Sequence, residues 1–110
     1  MSHLTRLGRT LVISLPSDLT DQEGQALLSG AGVALADRDA DRLILDARGL
    51  RSADSFLAQI LRDLGLLSAL FGAKPVLVGL PAGVALVLSL LEIDLSHLGC
   101  ARTMDEALRG

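Results

Sequence analysis

Short apolar runs alternate along this chain with longer segments in which apolar residues recur every three to four positions. The short runs are typical of buried strands, and the longer segments are typical of helices with one apolar face. The expected strands are Leu4–Arg6, Thr10–Leu15, Leu43–Leu45 and Val76–Val78. The expected helices are Asp21–Ala36, Ser55–Phe71, Pro81–Leu91 and a short terminal helix that starts near Thr103.

The order of these elements predicts the fold class. Apolar strands that alternate with helices imply parallel pairing and right-handed crossovers, whereas a turn at Gly8 joins the first two strands as a hairpin. The 110 residues suffice for one domain and are too few for two ordinary ones. We therefore predict an α/β protein with a single domain over residues 1–110, in which helices pack on a mixed four- or five-stranded sheet.

Capping residues mark the expected helix ends. Thr20–Glu23 and Thr103–Glu106 both have the form of a capping box, in which a hydroxyl and a carboxylate satisfy free backbone N–H groups. Pro81 has the position of a first-turn proline, and Gly72 is expected to end the second helix. Three glycines lower the helix propensity of the first helix: Gly24, Gly30 and Gly32.

The second and third helices differ in how their apolar residues are distributed. In the second helix, one stripe should face the core: Phe56, Ile60, Leu64, Leu67 and Phe71. Leu66 and Leu70 lie off that stripe. The third helix is apolar nearly all round, with Ser89 as its only polar side chain. Because large apolar patches are uncommon on monomers, we expect part of this surface to meet another protein; the alternative is that a small sheet buries most of these positions.

Charge and composition exclude several classes of protein. The net charge is −3 and nine arginines and one lysine are spread along the chain, which argues against a nucleic-acid binder. Half of the residues are hydrophobic, so the chain is not intrinsically disordered. The first sixteen residues lack the uninterrupted apolar block of a signal peptide.

The single cysteine, Cys100, excludes an internal disulfide and favours a reducing compartment. We expect it to be a small buried apolar residue. Two histidines and one cysteine cannot form a Cys/His zinc cluster without outside ligands, so no metal site is expected.

The segment from Pro75 to Leu91 carries no charged residue and approaches the length that spans a bilayer. Gly79, Pro81 and Gly83 interrupt it near the middle, and this favours a buried strand followed by a helix over a membrane span. We therefore expect no membrane association.

The usual enzyme motifs for nucleotide binding, acyl transfer and metal-dependent hydrolysis are absent. Asp46 ends a buried strand, which is where open α/β sheets place their sites. A receiver-like or enzymatic domain that uses Asp46 and Lys74 is therefore one alternative. We expect a structural role for Asp46, because a phosphoacceptor aspartate requires acidic neighbours that bind Mg²⁺.

The segment Arg51–Leu61 follows a parallel strand and opens a helix. Ser52 or Asp54 can cap this helix, and Ser55 falls in its first turn. Free N–H groups and the helix dipole also favour a phosphate at such a terminus, where Arg48 and Arg51 can pair with it. The segment is thus either a simple cap or a phosphorylatable switch.

At these residues the chain resembles STAS domains (sulphate transporter and anti-sigma factor antagonist). The resemblance covers nearly the whole length and includes Leu43–Asp46, Asp54–Ser55, Gly72–Gly79 and the Pro81 helix. The sequence from Asp54 to Leu61 is similar to that of RsbS-type stressosome scaffold proteins, as is Pro81–Leu88. The chain departs from the family in lacking Tyr and in its many Leu, Ala and Arg residues.

The resemblance implies a cytoplasmic, non-enzymatic scaffold without a cofactor, which holds a serine/threonine switch kinase in a large assembly with a sensor-bearing STAS co-scaffold. Stress triggers phosphorylation of a serine, and the kinase is released. By motif match the acceptor is Ser55, with Ser52 as the fallback and with Arg48, Arg51 and Asp54 forming the switch loop. A free anti-sigma factor antagonist is the alternative within the same fold.

Overall fold

The computed structural model describes residues 4–37 and 39–109; Arg38 and the chain ends of the expected 1–110 domain lie outside the described residues. The strands are β1 (Leu4–Leu7), β2 (Thr10–Ser14), β3 (Arg42–Asp46), β4 (Lys74–Val78) and β5 (Gly99–Ala101). The helices are α1 (Asp21–Asp37), α2 (Ser55–Leu70), α3 (Ala82–Leu90) and α4 (Met104–Arg109). The predicted α/β class and mixed sheet are confirmed.

The five strands form one sheet in the order β1-β2-β3-β4-β5. The β1–β2 hairpin is antiparallel and turns at Gly8, while β2 to β5 are all parallel. The central strand β3 is buried on both faces, as its unbroken apolar run predicts, because Leu43, Ile44 and Leu45 are fully covered.

Alternate strand residues divide the core between the two faces of the sheet. On one face, Leu11, Leu43 and Leu77 pack with side chains of α1, α2 and α3, such as Leu27, Leu64 and Leu88. On the other face, a smaller cluster packs mainly beneath α4: Val12, Ile44, Val76, Val78 and Ala107. The first three helices therefore cover one face, and α4 packs on the other.

The expected caps of α1 and α4 are present, one of them in altered form. The Thr20 Oγ accepts from the Glu23 N–H at 3.1 Å, and the Glu23 carboxylate accepts from the Thr20 N–H at 3.0 Å, which completes a capping box. At α4 the Thr103 hydroxyl caps Glu106 in the same way, but the Glu106 carboxylate accepts from the Arg102 N–H. Gly72, at φ +78°, follows the end of α2 as predicted.

Three details differ from the sequence-based expectations. Phe71 is exposed rather than in the core, because α2 ends at Leu70 and the chain turns away there. Pro81 is the N-cap of α3, with ψ at 144°, and not its first helical residue. Cys100 is exposed, because it lies on β5, a short strand at the sheet edge that the sequence pattern did not resolve.

The uncharged segment from Pro75 to Leu91 folds as β4 and α3, joined by a turn at Gly79. Its glycines and proline thus separate a strand from a helix, as predicted. Within residues 4–37 and 39–109, none of the helices combines the length and the apolar character needed to cross a membrane.

Candidate functional site

The loops that follow β2, β3, β4 and β5 meet at the carboxyl edge of the parallel strands, and the loop after β3 leads into α2. Asp54 is the N-cap of this helix: its backbone is extended, and its carboxylate accepts from the Leu57 N–H at 2.8 Å. Asp54, and not Ser52, therefore performs the capping that the sequence left open between them.

Ser55 is the first residue of α2 and is exposed. Its hydroxyl has no hydrogen-bond partner among residues 4–37 and 39–109, since Asp54 already supplies the cap. The hydroxyl thus lies free at the positive end of a sixteen-residue helix that has no acidic residue in its first turn. A phosphate attached there would be favoured electrostatically and would displace no contact of the fold.

Ser52 is in a different environment. Its hydroxyl donates to the Asp18 carboxylate at 2.9 Å, which ties the loop after β3 to the loop after β2. A phosphate on Ser52 would replace that hydrogen bond by repulsion between two negative groups. The two candidate serines are therefore not equivalent, although only three residues separate them.

Arg48 is engaged with Asp46 through two parallel contacts. Its Nε and Nη2 donate to the two carboxylate oxygens at 2.9 and 2.7 Å, and its backbone N–H donates to Oδ1 at 3.1 Å. The guanidinium holds the pKa of the Asp46 carboxyl below its usual value, while partial burial opposes this shift. Arg48 can pair with a phosphate only by leaving or sharing this carboxylate.

The aliphatic part of Arg48 lies over Gly79 in the turn between β4 and α3. A β-carbon at position 79 would overlap Cγ of Arg48, and Gly79 has φ +66°, so both space and conformation require glycine. The neighbouring backbone joins the same segments, because Ala47 N–H donates to Val78 O at 2.9 Å. The loop that leads from β3 to Ser55 is thereby fixed to the turn that precedes α3.

Arg51 is the second arginine of the expected switch loop. Its backbone N–H donates to Ser17 O at 3.0 Å, while its exposed side chain makes no ion pair with any residue the structure describes. Of the two arginines expected in a switch loop, Arg51 is therefore the one whose guanidinium is not engaged by a described residue.

The structure does not bring together Asp46 and Lys74, the two residues of the receiver-like alternative. Lys74 is opposite Arg42 at the amino edge of the sheet, and Asp46 is opposite Val78 at the carboxyl edge. Along the strands the two positions are four residues apart, which corresponds to a distance of about 13 Å. In addition, the residues described hold no group of three His, Cys, Asp or Glu that could bind a metal ion.

In open α/β folds, small ligands bind in the crevice where the strand order reverses direction, and here β2 to β5 follow one another without a reversal. A shallow groove of about 440 Å³ at this edge is lined by Ser14, Leu15, Asp46, Arg48 and Gly49, and the Asp46–Arg48 pair already occupies its polar wall.

The apolar surface expected on α3 is present. Val84 and Leu88 are buried against the sheet, whereas Leu86, Val87 and Leu90 are exposed. On α2, Leu66 and Leu70 are also exposed. The small sheet therefore does not bury most of these positions, which was the alternative explanation.

The sequence matches no protein-family model and no curated protein. Among solved structures, a serine-to-glutamate variant of RsbS from Moorella thermoacetica aligns with a TM-score of 0.84 at 21% identity, over 96% of this chain and 90% of that chain. A chain of the stressosome, a signal integration and transduction hub, aligns with a TM-score of 0.84 at 23% identity, over 96% and 92%. The anti-sigma factor antagonist SpoIIAA in its unphosphorylated form gives 0.78 at 18% identity, over 96% and 90%.

These alignments cover nearly the whole of this chain and of each of the three chains compared with it. This chain accordingly has the STAS domain fold. The resemblance inferred from Leu43–Asp46, Asp54–Ser55 and the Pro81 helix is confirmed at the level of the fold. Because one fold serves many functions, the fold alone does not assign a role to this chain.

Proposed function

We propose that this protein is a non-enzymatic phosphoswitch scaffold. It sequesters a serine/threonine switch kinase in a cytoplasmic, stressosome-like complex together with a sensor-bearing STAS co-scaffold. Phosphorylation of Ser55 in response to stress releases the kinase. The kinase supplies ATP, Mg²⁺ and the general base, so this chain requires no catalytic group and no cofactor.

The observation that carries the proposal is the division of labour between Asp54 and Ser55. Asp54 caps α2, and Ser55 beside it is exposed and its hydroxyl is unengaged by the described residues. A phosphate adds about −1.5 to −2 charge at pH 7. On Ser55 it would change the charge and shape of the carboxyl edge without unfolding the domain, and partner exchange requires such a change.

Similar proteins support a switch of this kind. One is an RsbS variant in which a serine is replaced by glutamate, which carries a negative charge, and another is SpoIIAA in its unphosphorylated form. Arg51 supplies a positive charge close in sequence to Ser55, and Arg48 supplies a second one that Asp46 holds. We assign these arginines, with Asp54, to the switch loop.

The proposal is tested by site-resolved phosphopeptide mass spectrometry on the protein isolated from stressed and unstressed host cells. We expect stress-dependent phosphate on Ser55 in the wild type and in the matched control Ser52→Ala, and none in Ser55→Ala. Phosphate on Ser52 alone would transfer the role to that residue. Absence of phosphate under every stress, with full peptide coverage, would leave Ser55 as an ordinary helix residue.

Kinase retention provides the second arm of the test. Ser55→Ala is expected to fold normally and to retain the kinase during stress, and Ser55→Asp is expected to fold normally and to bind it poorly. If both variants keep and release the kinase like the wild type, Ser55 is not the switch.

A free anti-sigma factor antagonist is the second candidate, favoured by the alignment with SpoIIAA. Such a protein acts as a monomer or small oligomer rather than in a large particle. Light scattering of the protein mixed with its STAS co-scaffold distinguishes the two: a particle of high mass supports the scaffold, and unchanged small species support the free antagonist.

A further inference from the structure

Two exposed serines, Ser52 and Ser55, lie three positions apart at the start of α2 and just before it. A kinase that phosphorylates one of them must discriminate against the other, because both hydroxyls belong to the same short segment. Their surroundings differ in one respect. The Ser52 hydroxyl donates to the Asp18 carboxylate at 2.9 Å, whereas the Ser55 hydroxyl has no partner among residues 4–37 and 39–109.

The position of Asp18 is set by the backbone of two adjacent loops. The strands β2 and β3 pair in parallel, and the loops that follow them stay side by side in the same order. The Arg51 N–H donates to Ser17 O at 3.0 Å, and the next residue of each loop then makes the hydrogen bond between Ser52 and Asp18. The fold therefore holds the Asp18 carboxylate opposite Ser52.

The negative charge of Asp18 is not neutralised within the part of the chain that the structure describes. Asp18 makes no ion pair there, and neither does Arg51, although it precedes Ser52 in the sequence. A phosphate on Ser52 would add about −1.5 to −2 charge at pH 7. Like charges at such a short distance repel one another appreciably even at a protein surface.

This geometry opposes phosphoryl transfer to Ser52. In the reaction, Oγ of the serine forms a bond to the γ-phosphorus of ATP, the bond from that phosphorus to ADP breaks, and the hydroxyl proton passes to the base of the kinase. At Ser52 the hydroxyl proton is already directed at Asp18, so this hydrogen bond must break first. The incoming phosphoryl group also brings negative charge towards the same carboxylate.

Neither obstacle exists at Ser55. Its hydroxyl is free to donate to the base of a kinase, as far as the described residues are concerned. The neighbouring Asp54 carboxylate accepts from the Leu57 N–H at the positive end of α2, and the first turn of the helix contains no acidic residue. Negative charge is favoured at this end of a helix.

We infer that Asp18 is a specificity-determining residue, which directs phosphorylation to Ser55 because it engages the hydroxyl of Ser52. This inference rests on the proposed function, since it requires a kinase that acts on this segment. It adds the loop after β2 to the parts of the chain that govern the switch. Specificity commonly depends on a repulsive element that disfavours the wrong site, and Asp18 provides one.

Site-resolved phosphopeptide mass spectrometry tests the inference on the purified chain, which is incubated with ATP, Mg²⁺ and an extract of stressed host cells. The initial rates of phosphate incorporation at Ser52 and Ser55 are measured in the wild type and in two variants. Asp18→Ala removes the acceptor and the charge, whereas Asp18→Asn keeps an acceptor oxygen and removes the charge. Asp21→Asn, in the first turn of α1, is the matched control for net charge. Circular dichroism verifies that each variant is folded.

In the wild type, the rate at Ser55 should exceed the rate at Ser52. Asp18→Ala should raise the rate at Ser52 by about tenfold, because a hydrogen bond to a charged group and a like-charge repulsion are both removed. Asp18→Asn should give an intermediate rate. The rate at Ser55 should change by less than about twofold in every variant, and Asp21→Asn should match the wild type at both serines.

The inference is overturned if Asp18→Ala phosphorylates Ser52 no faster than the wild type does, or if Asp21→Asn accelerates that reaction equally. Absence of phosphate on Ser55 in the wild type contradicts the proposed function instead. The rate at Ser52 in Asp18→Ala then still decides the role of Asp18.

A second measurement requires no kinase. Ser52→Asp places a negative charge next to Asp18, and urea denaturation measures the loss of stability in the wild-type and Asp18→Asn backgrounds. The loss should be smaller in the Asp18→Asn background, because the repulsion is absent there. An equal loss in both backgrounds would show that Asp18 does not repel a charge at position 52, and this too overturns the inference.

Discussion

The side chain of Arg48 occupies the space above Gly79 in which a β-carbon would lie. This contact joins the loop after β3 to the turn after β4, and the same arginine is held in place by the Asp46 carboxylate. Position 79 has φ +66°, a conformation that costs a residue with a side chain about 1–2 kcal/mol. Gly79 is therefore constrained both by its backbone and by Arg48.

Gly79→Ala is expected to lower the free energy of unfolding by about 2 kcal/mol, because strain at positive φ adds to the displacement of Arg48. Gly8→Ala is the matched control: Gly8 also has positive φ, but a β-carbon there meets nothing within 4 Å. Urea denaturation should show a larger loss at position 79 than at position 8. In an Arg48→Ala background the difference between the two losses should decrease. If it stays the same, Arg48 does not contribute to the effect of Gly79→Ala.

The Asp46–Arg48 pair predicts a specific dependence of stability on pH. The Asp46 pKa lies below its ordinary value of 3.8, chiefly because Arg48 donates to the carboxylate, whose side chain is only 15% exposed. A carboxyl whose pKa is lower in the folded state stabilises the fold above its unfolded pKa. This contribution is lost as the pH falls through 3.8 towards the folded pKa.

Asp46→Asn should therefore be less stable than the wild type by about 1 kcal/mol at pH 7. The difference should narrow below about pH 4, where the wild-type carboxyl also becomes neutral. Asp63→Asn is the control, because Asp63 also pairs with an arginine, Arg62, but at 3.5 Å and with both side chains about half exposed. Denaturation midpoints measured from about pH 3 to about pH 7 compare the three proteins; a difference that widens in acid would contradict the prediction.

Most of the fold could be predicted because its signals are local. The apolar run Leu43–Leu45 and the helical spacing in α2 each specify their own element. The strand β5 could not be predicted in this way, since Gly99–Ala101 carries no alternating pattern and becomes a strand by pairing with β4. The prediction that Cys100 is buried was wrong for the same reason, as its exposure follows from that edge position.

The candidate site shows the same limit. The cap at Asp54 is visible in the sequence because donor and acceptor are three residues apart. The Ser52–Asp18 hydrogen bond joins residues 34 positions apart. The contact of Arg48 with Gly79 exists because β3 and β4 are neighbours in the sheet. Contacts that depend on which strands are adjacent leave no pattern in a single sequence.

The cap of α2 can be separated from the proposed switch by mutation. Asp54→Ala should destabilise the protein by about 1 kcal/mol, because the Leu57 N–H loses its acceptor. Ser55→Ala should change stability by less than about 0.5 kcal/mol, since the Ser55 hydroxyl has no partner among the described residues. Asp54→Asn, which keeps an acceptor, is the control in urea denaturation. Equal losses of stability in Asp54→Ala and Ser55→Ala would show that Ser55 also contributes to the cap.

A negative charge should lower the stability of the protein at Ser52 but leave it nearly unchanged at Ser55. Ser55→Asp places a carboxylate at the positive end of α2, so stability should stay within about 0.5 kcal/mol of the wild type. Ser52→Asp removes the hydrogen bond to Asp18 and sets two carboxylates side by side, for a loss of about 1 kcal/mol or more. Ser52→Ala isolates the hydrogen-bond contribution. The additional loss of stability in Ser52→Asp is then due to charge repulsion and should decrease in high salt. If salt does not change this additional loss, repulsion between the two carboxylates is not its cause.

Two glycines of α1 should respond with opposite signs to the same substitution, because their surroundings differ. At Gly24, a β-carbon would come within 2.7 Å of the Phe56 ring and 3.1 Å of Ile60 Cδ1, so this glycine permits the close approach of α1 to α2. At Gly30, which is exposed, a β-carbon would meet nothing within 4 Å.

Gly24→Ala should therefore destabilise the protein by about 1–3 kcal/mol, since overpacking outweighs the gain in helix propensity. Gly30→Ala should stabilise it by up to about 1 kcal/mol, because the lower backbone entropy of the unfolded chain then acts alone. Urea denaturation of both variants at one pH measures the two signs directly. If Gly24→Ala also proves stabilising, Phe56 can move aside at little cost, and the α1–α2 contact is looser than its geometry indicates.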